Sequence, residues 1–318
     1  NFEFFKNMAL SRSMSITYIT KSVASACLLL LCVCFQSTNA ARPLNHLFFV
    51  SDDLRPEMGL YGGKALTPHL DAFAKTQGTV VFERAYVQQA ICCPTRSSFL
   101  TGRRPDTTKV WDLKTQFRVA LPNVTTLPKF FREQGYWTAG MGKVFHPVAY
   151  EGKTDDVAGG SWSAPYYHAH GTSGSNMSMC WTVNPSAEST FTDNMLASHA
   201  VLILQMAAAN VSITPFFVAV GLHRPHLPWD VPQKFYDLYP EDEIELADHH
   251  TMPLQYNVTG AEPWSWDPQS GPRHCGPLKQ MGTTLPEFAL VPDTVAKKFR
   301  RGYYGTRAHT PTHAQTRA

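Results

Sequence analysis

Charge is scarce in this sequence, and what there is nearly cancels. Asp, Glu, Lys and Arg make up 17% of its 318 residues, with 28 basic against 25 acidic side chains and a formal net charge of +3. A chain without a basic excess lacks the electrostatic footprint of a nucleic-acid-binding protein. The small net value leaves an anionic substrate open, because local fields decide that. The apolar run Val23–Phe35 falls short of the roughly 17–25 residues that a membrane helix needs, so no stable membrane span is expected. Cysteine is also sparse: of seven, Cys27, Cys32 and Cys34 lie in that run, leaving Cys92, Cys93, Cys180 and Cys275. That set does not support a disulfide scaffold. His223 and His226, three apart in a proline-rich stretch, have no cysteine, aspartate or third histidine at recognised zinc spacing, which argues against zinc.

What is present is the composition of a folded α/β chain, 43% hydrophobic, long enough for two domains or one large α/β unit. Residues 1–40 read as a leader and signal peptide: Lys21, the run Val23–Phe35, then a small-residue cleavage site expected between Ala40 and Ala41. Residues 41–304 are expected to form the main domain. Residues 305–318, with no apolar stripe and a repetition of Thr, His, Ala and Arg, are expected to be an aberrant or disordered tail. Three glycosylation sequons, at Asn123, Asn176 and Asn257, agree with a route through the secretory pathway, to a lysosome or outside the cell.

Leu47–Val50 is a short apolar run that suits a buried strand of a parallel sheet, and it ends in Asp52-Asp53. At the carboxyl end of such a strand two adjacent carboxylates repel each other, and a divalent cation relieves that. The plainer alternative is a loop start with Asp53 as a cap. Thr67-Pro68 reads as an N-cap followed by a first-turn proline, Val80–Phe82 as a strand, Leu127–Gly135 as a helix with a glycine stop, Tyr136–Ala139 as a strand, Thr192–Ala208 as a helix and Pro215–Gly221 as a second buried strand. Glu151–Pro185 has little periodicity and reads as a long excursion. Residues 229–290, rich in Trp, Pro, Tyr and Asp, read as loops whose rings either stack on sugars or cover the sheet.

Between these elements lies the most informative stretch, Ala90–Arg104, in which Cys92-Cys93-Pro94 is followed by Arg96 and a Leu100-Thr101-Gly102-Arg103 turn. A cation four residues after a cysteine stabilises a thiolate or an oxyanion. The bland alternative is a buried cysteine at a helix start. Lys143 and His146 follow a strand on a glycine turn, a favoured place for catalytic groups, although taken singly each reads equally as a solvated surface residue.

The order Cys92, Pro94, Arg96, Leu100, Thr101, Gly102, Arg103 resembles the signature of the sulfatases, and Thr67–Asp71, Gly142–His146 and His223–His226 are similar to further motifs of that family. The likeness runs from about residue 44 to 304. It implies a sulfatase and alkaline-phosphatase-like α/β fold, a mixed sheet flanked by helices. It also implies a Cys92 converted to formylglycine by a formylglycine-generating enzyme, and calcium held by Asp52, Asp53 and the modified Cys92. Arg96 and Lys143 are then expected to stabilise the charged intermediates and sulfate oxygens, His146 to hold or deprotonate the nucleophile, and His223 to protonate the leaving oxygen. Within the family, the closest likeness is to enzymes that remove the 2-O-sulfate of terminal iduronate in heparan and dermatan sulfate, which implies a sulfated glycosaminoglycan substrate. Sulfatases carry a later Asp-His or Asp-Asn pair with further calcium ligands. That pair is followed by Gly and comes from another strand; this chain has no such strand, so the domain is expected to be incomplete, its C-terminal part missing. A secreted non-catalytic protein that binds sulfated glycans through Arg96, Lys143, His146 and His223 therefore stays open beside the enzyme, and a phosphatase on the same superfold is disfavoured by the Cys-Pro-Arg signature.

Overall fold

A computed structural model describes residues 43–171, 181–210, 214–248 and 292–312. The expected leader, the sequons at Asn176 and Asn257, and Cys180 and Cys275 lie outside the described residues. In chain order the main elements are β1 (His46–Ser51), α1 (Pro68–Ala74), α2 (Cys92–Thr101), α3 (Leu127–Glu133), β2 (Trp137–Gly142), β3 (Trp181–Asn184), α4 (Thr192–Asn210), β4 (Phe216–Leu222), β5 (Trp229–Pro232), α5 (Gln233–Tyr236) and α6 (Asp293–Thr312). Among the described residues no helix is long and apolar enough to cross a membrane.

The central sheet is parallel, in the order β1-β4-β2, with Val50 and Gly142 both opposite Gly221. β4 lies in the middle because it is apolar on both faces, as a parallel strand covered by helices must be. Its side chains alternate between two cores. Phe217 and Ala219 pack with Leu100 of α2 and with Leu127 and Phe131 of α3, while Val218, Val220 and Leu222 pack with Leu196 and Ala200 of α4. The result is a helix–sheet–helix sandwich, the expected α/β class. A second parallel pair, β3-β5, builds a further core in which Trp229, Val231 and Phe235 meet Val295, Phe299 and Tyr304 of α6.

Several expectations change here. Val80–Phe82 forms no strand; without a partner strand among the described residues, Val80 and Phe82 each stay 71% exposed. Thr67 stands at the N-cap position of α1, as expected, but its side chain makes no capping bond. Its hydroxyl is buried, donating to Asp71 Oδ1 at 3.0 Å and accepting from the Gly59 amide at 3.2 Å. The helix of the cysteine stretch starts at Cys92 itself and ends at Gly102, whose φ of 65° only glycine adopts without cost. Of the two readings of the aromatic stretch, Trp229 takes the second: it covers a sheet, its indole Nε1 donating to Pro225 O at 2.7 Å. α6 runs unbroken from Asp293 to Thr312, so the boundary expected after Tyr304 falls inside a helix. Asn123 is exposed.

One pair of glycines sets how the two strand ends meet. Gly142 and Gly221 face each other in register, and the Lys143 amide donates to Gly221 O at 2.7 Å. A Cβ on Gly221 would stand 2.0 Å from the Lys143 carbonyl carbon, and backbone has nowhere to go. Gly221→Ala is expected to destabilise the fold by roughly 3 kcal/mol, read by urea unfolding; an unchanged midpoint would refute the close approach.

Candidate active site

Three parallel strands end at the same edge of the sheet, and each delivers chemistry there, as open α/β sheets do. Beyond β1 come Asp52, buried, and Asp53, exposed and held at φ 57°. Part of that unusual backbone is secured from α6: the Tyr303 hydroxyl donates to Asp53 O at 2.7 Å and accepts from the Arg55 amide at 3.0 Å. Beyond β2 come Lys143 and His146. Beyond β4 runs His223-Arg224-Pro225-His226, with the Arg224–Pro225 and Leu227–Pro228 peptides cis. α2 supplies Cys92 from its first residue and Arg96 one turn later.

Asp52 is the hub. Its Oδ1 accepts from Arg96 at 2.7 Å, and its Oδ2 pairs with the Lys143 ammonium. Burial alone pushes this carboxyl up, but the Arg96 and Lys143 charges outweigh it and hold it at about 2. Arg96 is itself buried and also donates to Val144 O at 2.9 Å and to Lys143 O. It therefore braces the acidic strand end against the β2 turn instead of standing free for a thiolate. Cys92 Sγ lies 3.8 Å from both Asp52 Oδ2 and Asp53 Oδ1. Burial, then the Asp52 charge, pushes its thiol up to about 11, with the cations offsetting only part. The unmodified side chain is a neutral thiol at physiological pH and a poor nucleophile. His146 is half-buried, its Nδ1 without a hydrogen-bond partner. Burial first, then Lys143 and Arg96, push its imidazole down toward the neutral form.

The two histidines of the β4 motif separate in space. His226 Nε2 sits 3.7 Å from Asp53 Oδ2 and 4.0 Å from Asp52 Oδ2, while its Nδ1 meets Leu227 O at 2.5 Å. His223 instead turns to Asp193, with Nδ1 3.4 Å from Oδ1. Asp193, the second residue of α4, also accepts from the amides of His223 (2.9 Å) and Arg224 (2.8 Å), locking the loop. The histidine that joins the acidic pair is thus His226 and not His223, on which the leaving-group role was expected to fall. The repeated histidine of the motif was the signal for it. Asp193 left no signal beyond an acid at a helix start, which reads as an ordinary dipole partner.

Asp52, Asp53, Cys92 and His226 offer donor atoms that all lie within 4.8 Å of one another, a metal-coordinating cluster. Two carboxylates suit a hard cation. The neutral thiol is the misfit in that set, and an oxygen-bearing group at position 92 would remove it.

A sequence model of the sulfatase family matches residues 45–305. The iduronate 2-sulfatases of Mus musculus and Homo sapiens are each 34% identical over 292 residues, covering 87% of this chain and 51% of the relative. The chain thus spans about half the length of the curated relatives it matches. A sulfatase of Formosa agariphila is 30% identical over 231 residues, 66% of this chain and 44% of its own. Among solved structures, the phosphonate monoester hydrolase of Agrobacterium radiobacter superposes with a TM-score of 0.59 at 17% identity, covering 86% of this chain and 58% of its own. A 2-O GAG sulfatase superposes at 0.55 and 18% identity, covering 85% and 52%. These two show the fold.

Replacing the hub tests the electrostatics. Asp52→Asn strands Arg96 beside an uncharged amide, so in the metal-free chain it is expected to cost about 3 kcal/mol at neutral pH. The folded carboxyl titrates below its ordinary 3.8, so its contribution is complete above that value and is lost as pH falls toward about 2. Urea unfolding across that range should show the gap between wild type and variant closing; a gap independent of pH would contradict the pairing.

Proposed function

Because the chain belongs to the sulfatase family, we propose that it serves a sulfatase that hydrolyses the 2-O-sulfate ester of terminal iduronate in heparan and dermatan sulfate. The observation that carries the hydrolase reading is the cluster of Asp52, Asp53, Cys92 and His226 at the strand ends. The choice of substrate is supported by the 34% identity to relatives named iduronate 2-sulfatase.

Asp52, Asp53 and the formylglycine derived from Cys92 would hold calcium. When present, the ion supplies Lewis-acid polarisation of a sulfate oxygen and the hydrated aldehyde supplies the nucleophile. Arg96 keeps Asp52 ionised and in place, because its guanidinium is fixed by two backbone carbonyls as well as by the carboxylate. Lys143, whose ammonium pairs with Asp52 Oδ2 at the edge of a cavity, would stabilise a sulfate oxygen. His146, driven toward its neutral form, accepts a proton from the nucleophile. His226, with Nδ1 against Leu227 O and Nε2 toward the acidic pair, would offer that nitrogen as a further ligand of the cluster. His223, which lines the cavity beside Lys143, gives a proton to the departing sugar oxygen.

Maturation then calls for a formylglycine-generating enzyme, and the leader expected in residues 1–40 with the sequons at Asn123, Asn176 and Asn257 favours the secretory pathway and a lysosomal or secreted product. A second reading, a sulfated-glycan-binding protein without turnover, is favoured by one observation: among the described residues the cluster holds two carboxylates, whereas calcium takes six to eight oxygens.

Cys92→Ala decides between these readings. In the matured wild type, mass spectrometry should find formylglycine at position 92, and the substitution should lower kcat by roughly 10⁴-fold or more with the fold intact by circular dichroism. Undiminished turnover in the variant would sink the mechanism. Salt-sensitive glycan binding with no sulfate release by the wild type would favour the second reading.

A further inference from the structure

The donor groups of the strand-end cluster are not held equally. Asp52 is buried and anchored by Arg96 and Lys143, whereas the Asp53 side chain is 56% exposed. Among the described residues its carboxylate meets the Cys92 thiol at 3.8 Å and His226 Nε2 at 3.7 Å, and nothing closer. Contacts that long do not fix a rotatable side chain. What places the Asp53 carboxylate within 4.8 Å of the other donors is therefore its backbone. That backbone sits at φ 57°, a conformation that a non-glycine residue keeps only where its surroundings impose it.

The imposing group lies 250 residues further along the chain. The Tyr303 hydroxyl of α6 donates to Asp53 O at 2.7 Å and accepts from the Arg55 amide at 3.0 Å. One oxygen thus ties together both ends of the kink Asp53-Leu54-Arg55, using its donor and an acceptor lone pair. The hydroxyl is in turn placed by packing. α6 lies close on the paired strands β3 and β5, where Trp181 and Trp229 stand opposite each other. A Cβ on Gly302 would come 3.1 Å from Trp181 Cβ and 3.2 Å from Trp229 Cε3. The next residue, Tyr303, meets the Trp229 ring edge to face, with centroids 5.6 Å apart at 66°.

α6 grips the far end of the same loop through different residues. Tyr304 donates its hydroxyl to Glu57 Oε2 at 2.8 Å and accepts from Arg300 at 2.6 Å, and Arg300 lies 3.8 Å from the same carboxylate oxygen. Neighbouring tyrosines of one helix therefore hold one loop, and it is Tyr303 that bonds the backbone of a cluster residue.

We infer that Tyr303 is a positioning residue of the metal site: its hydroxyl keeps Asp53 left-handed and so presents an otherwise unanchored carboxylate to the cation. Outer groups that orient a metal ligand set affinity in this way. The identity of the cation rests on the sulfatase reading above, but the positioning is read in the metal-free chain as well.

The full chain is titrated with calcium chloride by calorimetry, and the Asp53 backbone is followed by NMR, whose chemical shifts and HN–Hα coupling report φ. Tyr303→Phe is expected to weaken calcium binding about tenfold and to shift the Asp53 signals even without calcium. Tyr304→Phe removes a hydroxyl from the same helix. It is expected to leave affinity within about twofold of wild type and the Asp53 signals in place, whatever it costs in thermal stability. In an Asp53→Ala background, Tyr303→Phe should change affinity by less than about twofold, because it acts through that carboxylate. Equal losses of affinity from the two tyrosine variants, or affinity and Asp53 signals unmoved by Tyr303→Phe, overturn the inference. A wild type that binds no calcium overturns the cation reading alone. The positioning then stands if Tyr303→Phe displaces the Asp53 signals and falls if it does not.

Discussion

Everything at the strand ends depends on one buried carboxylate and the two cations that answer it. Asp52 is taken out of water at the end of β1, an arrangement that fails unless positive charge meets it at hydrogen-bond distance. Arg96 arrives from α2 and Lys143 from the turn after β2, so the ionic contact ties together three segments that are far apart in the chain. The same contact explains why Arg96 is bonded to the carbonyls of Lys143 and Val144: a buried guanidinium has more donors than one carboxylate accepts, and the β2 turn takes the remainder.

That hub dictates the chemistry around it. With Arg96 committed to Asp52, Cys92 feels the carboxylates more than the cations, and its thiol is held neutral. A cysteine so placed is unsuited to thiolate chemistry, which agrees with the proposed conversion to an oxygen nucleophile. His226 approaches the acidic pair from the adjacent central strand β4, while His223 is drawn off by Asp193 to the wall of the adjoining cavity. Two identical residues of one short motif thereby acquire different environments.

The support beneath the site is equally economical. Facing glycines at 142 and 221 let β2 and β4 approach at their carboxyl ends, and Tyr303 of α6 carries the Asp53 backbone. The outer strand β1 keeps Leu47 and Phe49 at 44% and 42% exposure, so among the described residues the sheet is covered more fully at its centre than at this edge.

Local pattern in the sequence determined the strands β1, β2 and β4 and the helices α3 and α4, because runs such as Phe217–Val220 have no soluble alternative to burial and 3.6-residue spacing has one geometry. It also determined the cysteine signature and the acidic pair, since their order along the chain is itself the signal. Val80–Phe82 misled, because β-branched and aromatic residues report a preference for extended backbone and a strand needs a partner besides. Only the tertiary structure decided that Arg96 serves Asp52 before any nucleophile, and that His226 and not His223 joins the cluster. Those outcomes turn on distances of a few ångströms between residues separated by 30 positions or more, and electrostatic contacts of that kind leave no periodicity for a linear reading to detect.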